Sequence, residues 1–288
     1  MFPFLRHLEH CNNTVLPGGR LPLLLRGATI GWVAETELPK LHGRDGVRIA
    51  DGSVAVGDAE ALAQLGRALA ADGEYRFRNE AFDVRADPDG PVLGTLDRGA
   101  LPFFGISAAG VHLNGLVETG DGPALWVGRR AANKLLDPDK LDHLAAGGVP
   151  AGYGAADTLE KEAEEECGLP PAMTRRAVPV GIVSYVMARP EGLRRDRLHC
   201  FDLLLPADFQ PVPHDGEVAE FFLVPLEEAL RLVRDTDAFK FNVNLVLIDL
   251  FLRRGLIDPD GAEGRDLRRR LNGGAAAAGT VQPGGPAG

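Results

Sequence analysis

Three glutamates, Glu162, Glu165 and Glu166, are the residues of this sequence whose type and spacing best suit chemistry. On an α-helix, where successive residues turn by about 100°, their carboxylates fall on one arc. Like charges at neighbouring helical positions destabilise a helix, and anions at its C-terminal end oppose the helix dipole. A hard cation among the carboxylates would explain the cluster, because all-oxygen ligation selects Mg²⁺, Mn²⁺ or Ca²⁺ over zinc. The alternative is a solvated acidic helix face, which is common in soluble proteins.

The surrounding residues predict the short helix that positions these glutamates. Asp157 is expected to cap a helix over Thr158–Cys167, since aspartate accepts hydrogen bonds from the first free backbone amides of a helix. Gly168 and Pro170 are expected to end it. A buried stripe is predicted beside the glutamates, on the arc formed by Leu159, Ala163 and Cys167. The glycine-rich segment GGVPAGYGAA leads into this helix.

Residues 147–169 resemble the Nudix box, G-x5-E-x7-R-E-U-x-E-E-x-G-U, in which U is an apolar residue. In this alignment Gly147 takes the first glycine and Gly168 the last, and the three glutamates take the metal-binding positions. The resemblance implies a Mg²⁺-dependent Nudix hydrolase, with Mn²⁺ as a substitute cofactor, that cleaves a small-molecule diphosphate. It also implies that Glu162, Glu165 and Glu166 are catalytic as well as metal-binding.

Two positions depart from the box. Tyr153 stands where the box has its first glutamate, and Lys161 stands where it has the arginine that orients the metal-binding glutamates. Lysine keeps the positive charge but lacks the planar fork with which arginine binds a carboxylate at two points. The departures therefore bear more on the geometry of the loop than on the metal site.

Three further segments, LDHLAAGGVPAG, FGISAAGVHLNG and FKFNVNLVLIDLFLRRGLI, resemble one branch of the Nudix family. That branch comprises the Nudix domains fused to thiamine pyrophosphokinase in fungi and their stand-alone plant and bacterial relatives, which carry an extra N-terminal domain. The resemblance implies cleavage of thiamine diphosphate, or of its oxidised and damaged derivatives, to the monophosphate and phosphate.

Other functions stay open on the same family resemblance. One is hydrolysis of a nucleoside diphosphate derivative such as ADP-ribose, because the box sets the diphosphate chemistry and not the leaving group. A second is a catalytically silent module that binds a metabolite. An isomerase would need a catalytic cysteine in a distinct context, which neither Cys11 nor Cys200 clearly provides.

Residues outside the box are candidates for completing the site. The backbone carbonyl near Gly147 is expected to be a metal ligand, and Glu217 is a candidate carboxylate ligand from a late loop. Four residues are predicted to contact the substrate: His112, Asn114, Arg129 and Lys140. For each of the five side chains the alternative is an ordinary polar residue of a loop or sheet. Asp142 and His143 either approach the substrate or structure the glycine loop, and Asn242 is expected to cap the helix after it.

Bulk composition excludes some classes of partner. The net charge of the 288 residues is −10, which disfavours nucleic acid. Apolar runs are shorter than the roughly 20 residues that span a bilayer, so no membrane partner is expected. The first ten residues carry charges and no cleavage site of small residues, so no secretory signal is expected. Three distant cysteines favour a reducing cytoplasm. The pattern does not set the oligomeric state.

The predicted fold class is α/β (α+β), a Nudix α/β/α sandwich with a mixed sheet, preceded by a smaller α/β domain. The boundaries are 1–105 for the N-terminal domain, 106–260 for the Nudix domain and 261–288 for a disordered tail, whose Gly, Ala and Pro content buries little apolar area. Residues 131–156 are expected to form a long loop. Because binding sites favour domain junctions, the N-terminal domain is expected to form one wall of the substrate pocket.

Overall fold

A computed structural model of the chain describes residues 2–214 and 216–277, with side chains described up to residue 271 in the last helix. The chain divides into two compact units. The seven-stranded unit comprises the chain up to Asn13, Ala108–Val183 and Asp196–Asn272. The four-stranded unit comprises Thr14–Ser107 and the hairpin tip Ser184–Arg195.

The helices and strands are numbered in chain order. The helices are α1 Leu5–Cys11, α2 Leu38–Leu41, α3 Ala59–Ala71, α4 Leu101–Phe104, α5 Ala155–Cys167, α6 Pro171–Thr174, α7 Leu226–Asp235, α8 Val243–Arg253 and α9 Ala262–Ala277. The strands are β1 Arg20–Leu25, β2 Ala28–Ala34, β3 Val47–Ala50, β4 Ser53–Val56, β5 Ala81–Val84, β6 Gly94–Asp97, β7 Ser107–Thr119, β8 Gly122–Arg130, β9 Leu141–Asp142, β10 Ala145–Gly148, β11 Val178–Arg189, β12 Gly192–Leu204 and β13 Val218–Pro225.

The four-stranded unit contains a sheet of order β2-β1-β4-β3, in which β1 and β4 run parallel and the other pairs antiparallel. Strands β5 and β6 form a separate antiparallel pair. Asp58 caps the start of helix α3, because its carboxylate accepts a hydrogen bond of 2.8 Å from the Ala61 amide. Its apolar face buries Leu62, Leu65 and Leu69.

The sheet of the seven-stranded unit has the order β11-β12-β7-β8-β13, with β10 paired to β7 and β9 paired to β8. Val111 and Leu113 of β7 lie in a core cluster with Leu159 and Ala163 of α5. Alternate residues of a strand point to opposite faces of the sheet. His112 and Asn114 therefore face away from α5.

Helix α8 lies on this second face. The Asn114 amide donates a hydrogen bond of 2.8 Å to the Asp202 carboxylate of β12, and Arg253 of α8 forms an ion pair of 2.6 Å with the same carboxylate. Helices α5 and α8 thus cover opposite faces of one sheet, which is the predicted sandwich. With the additional sheet in the N-terminal half, the mixed α and β fold class is confirmed.

Two local predictions were wrong. The segment predicted as a long loop, residues 131–156, contains β9 and β10. The residues of β10 are alanine and glycine, which carry no strand signal of their own. Helix α5 starts at Ala155, with Gly154 as its N-cap, so Asp157 is the third helical residue. From there its carboxylate accepts a bond of 3.4 Å from the Gly154 amide.

The prediction of a disordered tail from residue 261 was also wrong over residues 262–277, which form α9. Leu267 and Leu271 of this helix are 0% and 5% exposed. Their spacing of one helical turn places both leucines on one face of the helix. The prediction of disorder missed this short apolar face because it rested on the Gly, Ala and Pro content of the whole segment. The remaining part of the predicted tail, residues 278–288, lies outside the described residues.

Among the helices of residues 2–214 and 216–277, none combines the length and the apolar character that a membrane crossing requires.

We expect Leu267→Ala to lower the free energy of unfolding by about 2–5 kcal/mol, because it leaves a cavity at a fully buried position. Urea unfolding of the full chain measures this. The control is Leu204→Ala, whose side chain is 54% exposed and whose loss should change stability little. Equal effects of the two substitutions would show that α9 does not pack as described.

Candidate active site

The C-terminal end of α5 is fixed by the residues that follow it. Gly168 adopts a left-handed conformation with φ of 66°, and its amide donates to the Glu164 carbonyl at 3.1 Å. The Leu169 amide reaches back to the Ala163 carbonyl at 3.0 Å. This is the helix ending that the glycine predicts. It sets the orientation of the last helical turn, which carries two of the three glutamates.

Glu166 binds the backbone of β10. Its carboxylate accepts a hydrogen bond of 2.9 Å from the Ala146 amide, and the residue is 9% exposed. Ala146 itself is paired with His112 across β10 and β7. The carboxylate is thus tied to the sheet through a main-chain donor.

Glu162 packs against the next residue of the same strand. A Cβ atom on Gly147 would lie 2.5 Å from Glu162 Oε2, closer than real Cβ contacts come. Glycine is therefore required at position 147 for the carboxylate to occupy this place. Together with the Glu166 bond, this contact brings two carboxylates of α5 to adjacent residues of β10.

Glu165 joins the cluster through Lys161. The Lys161 ammonium lies 2.6 Å from the Glu165 carboxylate and 3.4 Å from that of Glu162. The bond with Glu165 is the main cause that raises the pKa of Lys161. Because one ammonium contacts both carboxylates, a single cation can be shared between them. The donor set of three carboxylates fits a hard divalent cation.

Three other predicted metal and substrate residues, Glu217, Arg129 and Lys140, lie towards the surface, where each has a protein partner. Glu217 forms an ion pair with Lys134. Arg129 binds Glu220 at 2.7 Å, and the Lys140 ammonium donates to the Asp237 carbonyl. Roles of Glu217 in metal binding and of Arg129 and Lys140 in substrate binding stay predictions.

The two predicted substrate contacts on β7 belong instead to a buried polar group. His112 and Asn114 are 3% and 0% exposed. The Nδ1 atom of His112 lies 2.9 Å from Nδ1 of His143, so one ring donates to the other. Their burial favours a structural role over direct contact with a substrate. Sequence reasoning named His112 and His143 separately, but no sequence signal joins them.

Asp142 is the charged centre of this group. Its carboxylate forms ion pairs with Arg130 at 2.7 Å and with Lys240 at 3.3 Å. Burial raises the pKa of this carboxyl, but Lys240 and Arg130 outweigh that and hold it well below its usual value. Asp142 is therefore ionised throughout the physiological range.

His112, Asp142 and His143 also place potential ligand atoms within 4.8 Å of one another, a distance that a metal ion could bridge. Two features argue against a metal there. The Asp142 carboxylate already has two cationic partners. A divalent ion would add further positive charge to a buried group in which two cations already outnumber one anion. The Nδ1 atoms are also engaged with each other. The glutamates of α5 therefore stay the predicted cation site.

Burial is the main cause that lowers the pKa of both histidines, and that of His143 falls to about 4. Both rings are neutral at pH 7. The neutral state is the one that allows one Nδ1 to donate and the other to accept, since a doubly protonated ring has only donors.

A comparison with protein-family models identifies the domain. The NUDIX domain model matches residues 110–244, which include β10, α5 and all three glutamates. These residues belong to the NUDIX domain family. The predicted family is therefore confirmed for these residues, and two curated relatives are hydrolases by name.

Two curated relatives of the NUDIX region come from Arabidopsis thaliana. The chain is 43% identical to Nudix hydrolase 20, chloroplastic, over 68% of this chain and 52% of the relative. It is 42% identical to Nudix hydrolase 24, chloroplastic, over 69% of this chain and 54% of the relative. The chain thus spans about half the length of these relatives. The crystal structure of DR0079 from Deinococcus radiodurans has a TM-score of 0.45 and 19% identity, covering 58% of this chain and 97% of that one.

We expect Gly147→Ala to weaken divalent-cation binding by about tenfold or more, because the new Cβ must displace the Glu162 carboxylate. Titration with Mn²⁺ followed by electron paramagnetic resonance measures the dissociation constant. Gly120→Ala is the matched control, since a Cβ there meets nothing within 4 Å. An unchanged dissociation constant in Gly147→Ala would place the cation elsewhere.

Stability should fall as the pH is lowered from about 6.5 to 4. A histidine whose pKa is lower in the folded state than in the unfolded state lets the unfolded chain bind protons first, so acid favours unfolding. For His143 alone the loss at pH 4.5 is about 2 kcal/mol.

Urea unfolding of wild type and His143→Asn at pH 7 and pH 4.5 tests this. The variant should lose less stability on acidification than wild type does. Some dependence should remain, because burial also lowers the pKa of His112 and of His7. The exposed His42 provides the control, His42→Asn, which should keep the full wild-type dependence. The account would be contradicted if His143→Asn lost as much stability between pH 7 and pH 4.5 as wild type does.

Proposed function

We propose that the protein is a Mg²⁺-dependent Nudix hydrolase that cleaves a small organic diphosphate, with thiamine diphosphate or its oxidised derivatives as the substrate. The observation that carries the proposal is the position of Glu162 and Glu166, which both pack on the backbone of β10 at Ala146 and Gly147. Glu162 and Glu165 both contact the Lys161 ammonium. A set of three carboxylate donors at the C-terminal end of α5 is suited to a divalent cation.

The chemistry needs little more than charge neutralisation and a positioned water. A divalent cation bound among the carboxylates would neutralise the diphosphate, polarise a phosphorus–oxygen bond and activate a water. A carboxylate of the cluster would accept a proton from that water. The water oxygen bonds to phosphorus as the bridging phosphorus–oxygen bond breaks. Mn²⁺ can replace Mg²⁺, since both prefer oxygen ligands.

Each residue of the chain has a distinct task in this scheme. The Ala146 amide holds Glu166 in place, and Gly147 leaves the room that Glu162 occupies. Lys161 keeps Glu165 and Glu162 close together before the cation binds. Because these positions are fixed by the fold, little reorganisation is required when the substrate arrives.

The thiamine substrate rests on the resemblance of three sequence segments to one branch of the family. The diphosphate chemistry rests on the Nudix box that contains the glutamates. A cytoplasmic location likewise stays a prediction, and the two plant relatives are chloroplastic by name.

The first test is phosphate release with Mg²⁺ from thiamine diphosphate, oxothiamine diphosphate, ADP-ribose and a nucleoside diphosphate, assayed side by side. A preference for a thiamine form supports the full proposal. A preference for ADP-ribose or the nucleoside diphosphate keeps the hydrolase and replaces the substrate. No turnover of any of the four would contradict the proposal and favour a module that only binds.

We expect Glu166→Gln to lower kcat by about 10²–10⁴-fold, because it removes a charged ligand and a potential proton acceptor. The matched control is Glu164→Gln, which makes the same change on the exposed side of the same helix and should leave kcat near its wild-type value. Equal losses in the two variants would point to helix stability rather than to chemistry.

A further inference from the structure

Residues 142–147 connect the buried polar group that contains His112, Asp142 and His143 to the glutamates of α5. Asp142 and His143 stand at one end of this segment, and Ala146 and Gly147 at the other. An extended chain of this length reaches at most roughly 17 Å. The same six residues therefore carry both the ion-paired carboxylate and the backbone positions that receive Glu166 and Glu162.

The segment is held first by His112. Its side chain bonds to His143 at 2.9 Å, and its backbone is paired with Ala146 across the two strands. The two rings meet edge to face, at a centroid distance of 4.9 Å and an angle of 78°. His112 thus contacts the segment at two residues, His143 and Ala146, which are three positions apart.

Asp142 holds the start of the same segment. Its Oδ1 accepts from the His143 amide at 2.9 Å, while its Oδ2 lies in the ion pairs with Arg130 and Lys240. The backbone adds a further tie, since the Lys240 amide donates to the Leu141 carbonyl at 2.9 Å. Strand β9 is thereby fixed to β8 and to the residues that lead into α8.

The buried pair does not share a sheet face with the glutamates. His112 and Ala146 lie directly opposite each other in the β7–β10 ladder, so their side chains share the face away from α5. Any effect on the glutamates must pass through the backbone at Ala146 and Gly147. Ala146 donates its amide hydrogen to Glu166, so a shift of that amide moves a carboxylate of the cation site.

We propose that His112 and His143 are positioning residues, whose mutual hydrogen bond sets the place of the Ala146 amide and hence the cation affinity of the glutamate cluster. This inference rests on the cation site of the proposed function. It gives the two histidines a task in the reaction although neither touches the cation, the substrate or the reacting atoms.

The test is the Mn²⁺ dissociation constant of the full chain, measured by electron paramagnetic resonance without substrate. His112→Asn and His143→Asn should each raise this constant by about tenfold, the size of effect that follows loss of a group supporting a ligand. The double variant should bind Mn²⁺ no more weakly than either single variant, because the two residues act through one hydrogen bond. Hydrogen exchange of the peptide covering residues 141–148 should become faster in each variant.

His42→Asn serves as the matched control, since it makes the same substitution at an exposed position of the four-stranded unit. It should leave both the Mn²⁺ constant and the exchange rate at their wild-type values. Circular dichroism checks that each variant is folded. His143→Gln is used in place of an asparagine variant that does not fold.

The outcomes separate this inference from the proposed function. Wild-type affinity in folded His112 and His143 variants overturns the positioning role and leaves the proposed function standing. Additive losses in the double variant also overturn it, because independent structural roles would add. Absence of Mn²⁺ binding by the wild-type chain overturns the proposed function and this inference with it.

Discussion

The contact between the carboxylates of α5 and the backbone of β10 is the constraint on which the rest of the site depends. Glu166 accepts a main-chain hydrogen bond from Ala146, and Glu162 fills the space that any side chain on residue 147 would take. The Glu162 contact requires glycine at position 147, whereas the Glu166 contact uses a backbone amide. Gly147 of β10 is therefore part of the site.

The two faces of the sheet also carry different kinds of residues. The α5 face carries an apolar cluster and, at its edge, the glutamates. The α8 face carries a polar group that includes a buried ion pair and a histidine pair. Breaking a buried ion pair by removing one partner costs about 3–5 kcal/mol, so this group is costly to disturb. It is suited to holding a strand still and poorly suited to exchanging ligands.

Much of the glutamate site could be predicted from sequence because it is local. Helical periodicity places three carboxylates on one arc and the apolar residues beside them, and Gly168 marks the end of the helix. The predicted start of α5 was wrong, since Asp157 is acceptable both as a cap and at the third position of a helix capped by glycine. The role of Gly147 needed the structure, because a close approach between distant residues leaves no local pattern.

The polar group was beyond sequence reasoning for a related reason. His112 and His143 are 31 positions apart, and Asp142 and Lys240 are 98 apart, so only the pairing of strands brings them together. His112 and Asn114 were predicted as substrate contacts because their segment, FGISAAGVHLNG, resembles one branch of the family, and their alternation on a strand places them on one face. Alternation gives the shared face correctly, but it does not say which face is open and which is covered by α8.

The most direct test of the account is the location of a bound cation. In a crystal of the protein grown with Mn²⁺, anomalous diffraction would mark the ion without assuming any ligand. The account predicts a peak among the carboxylates of Glu162, Glu165 and Glu166, next to the backbone of Gly147. A peak between His112, Asp142 and His143, with none at the glutamates, would contradict it.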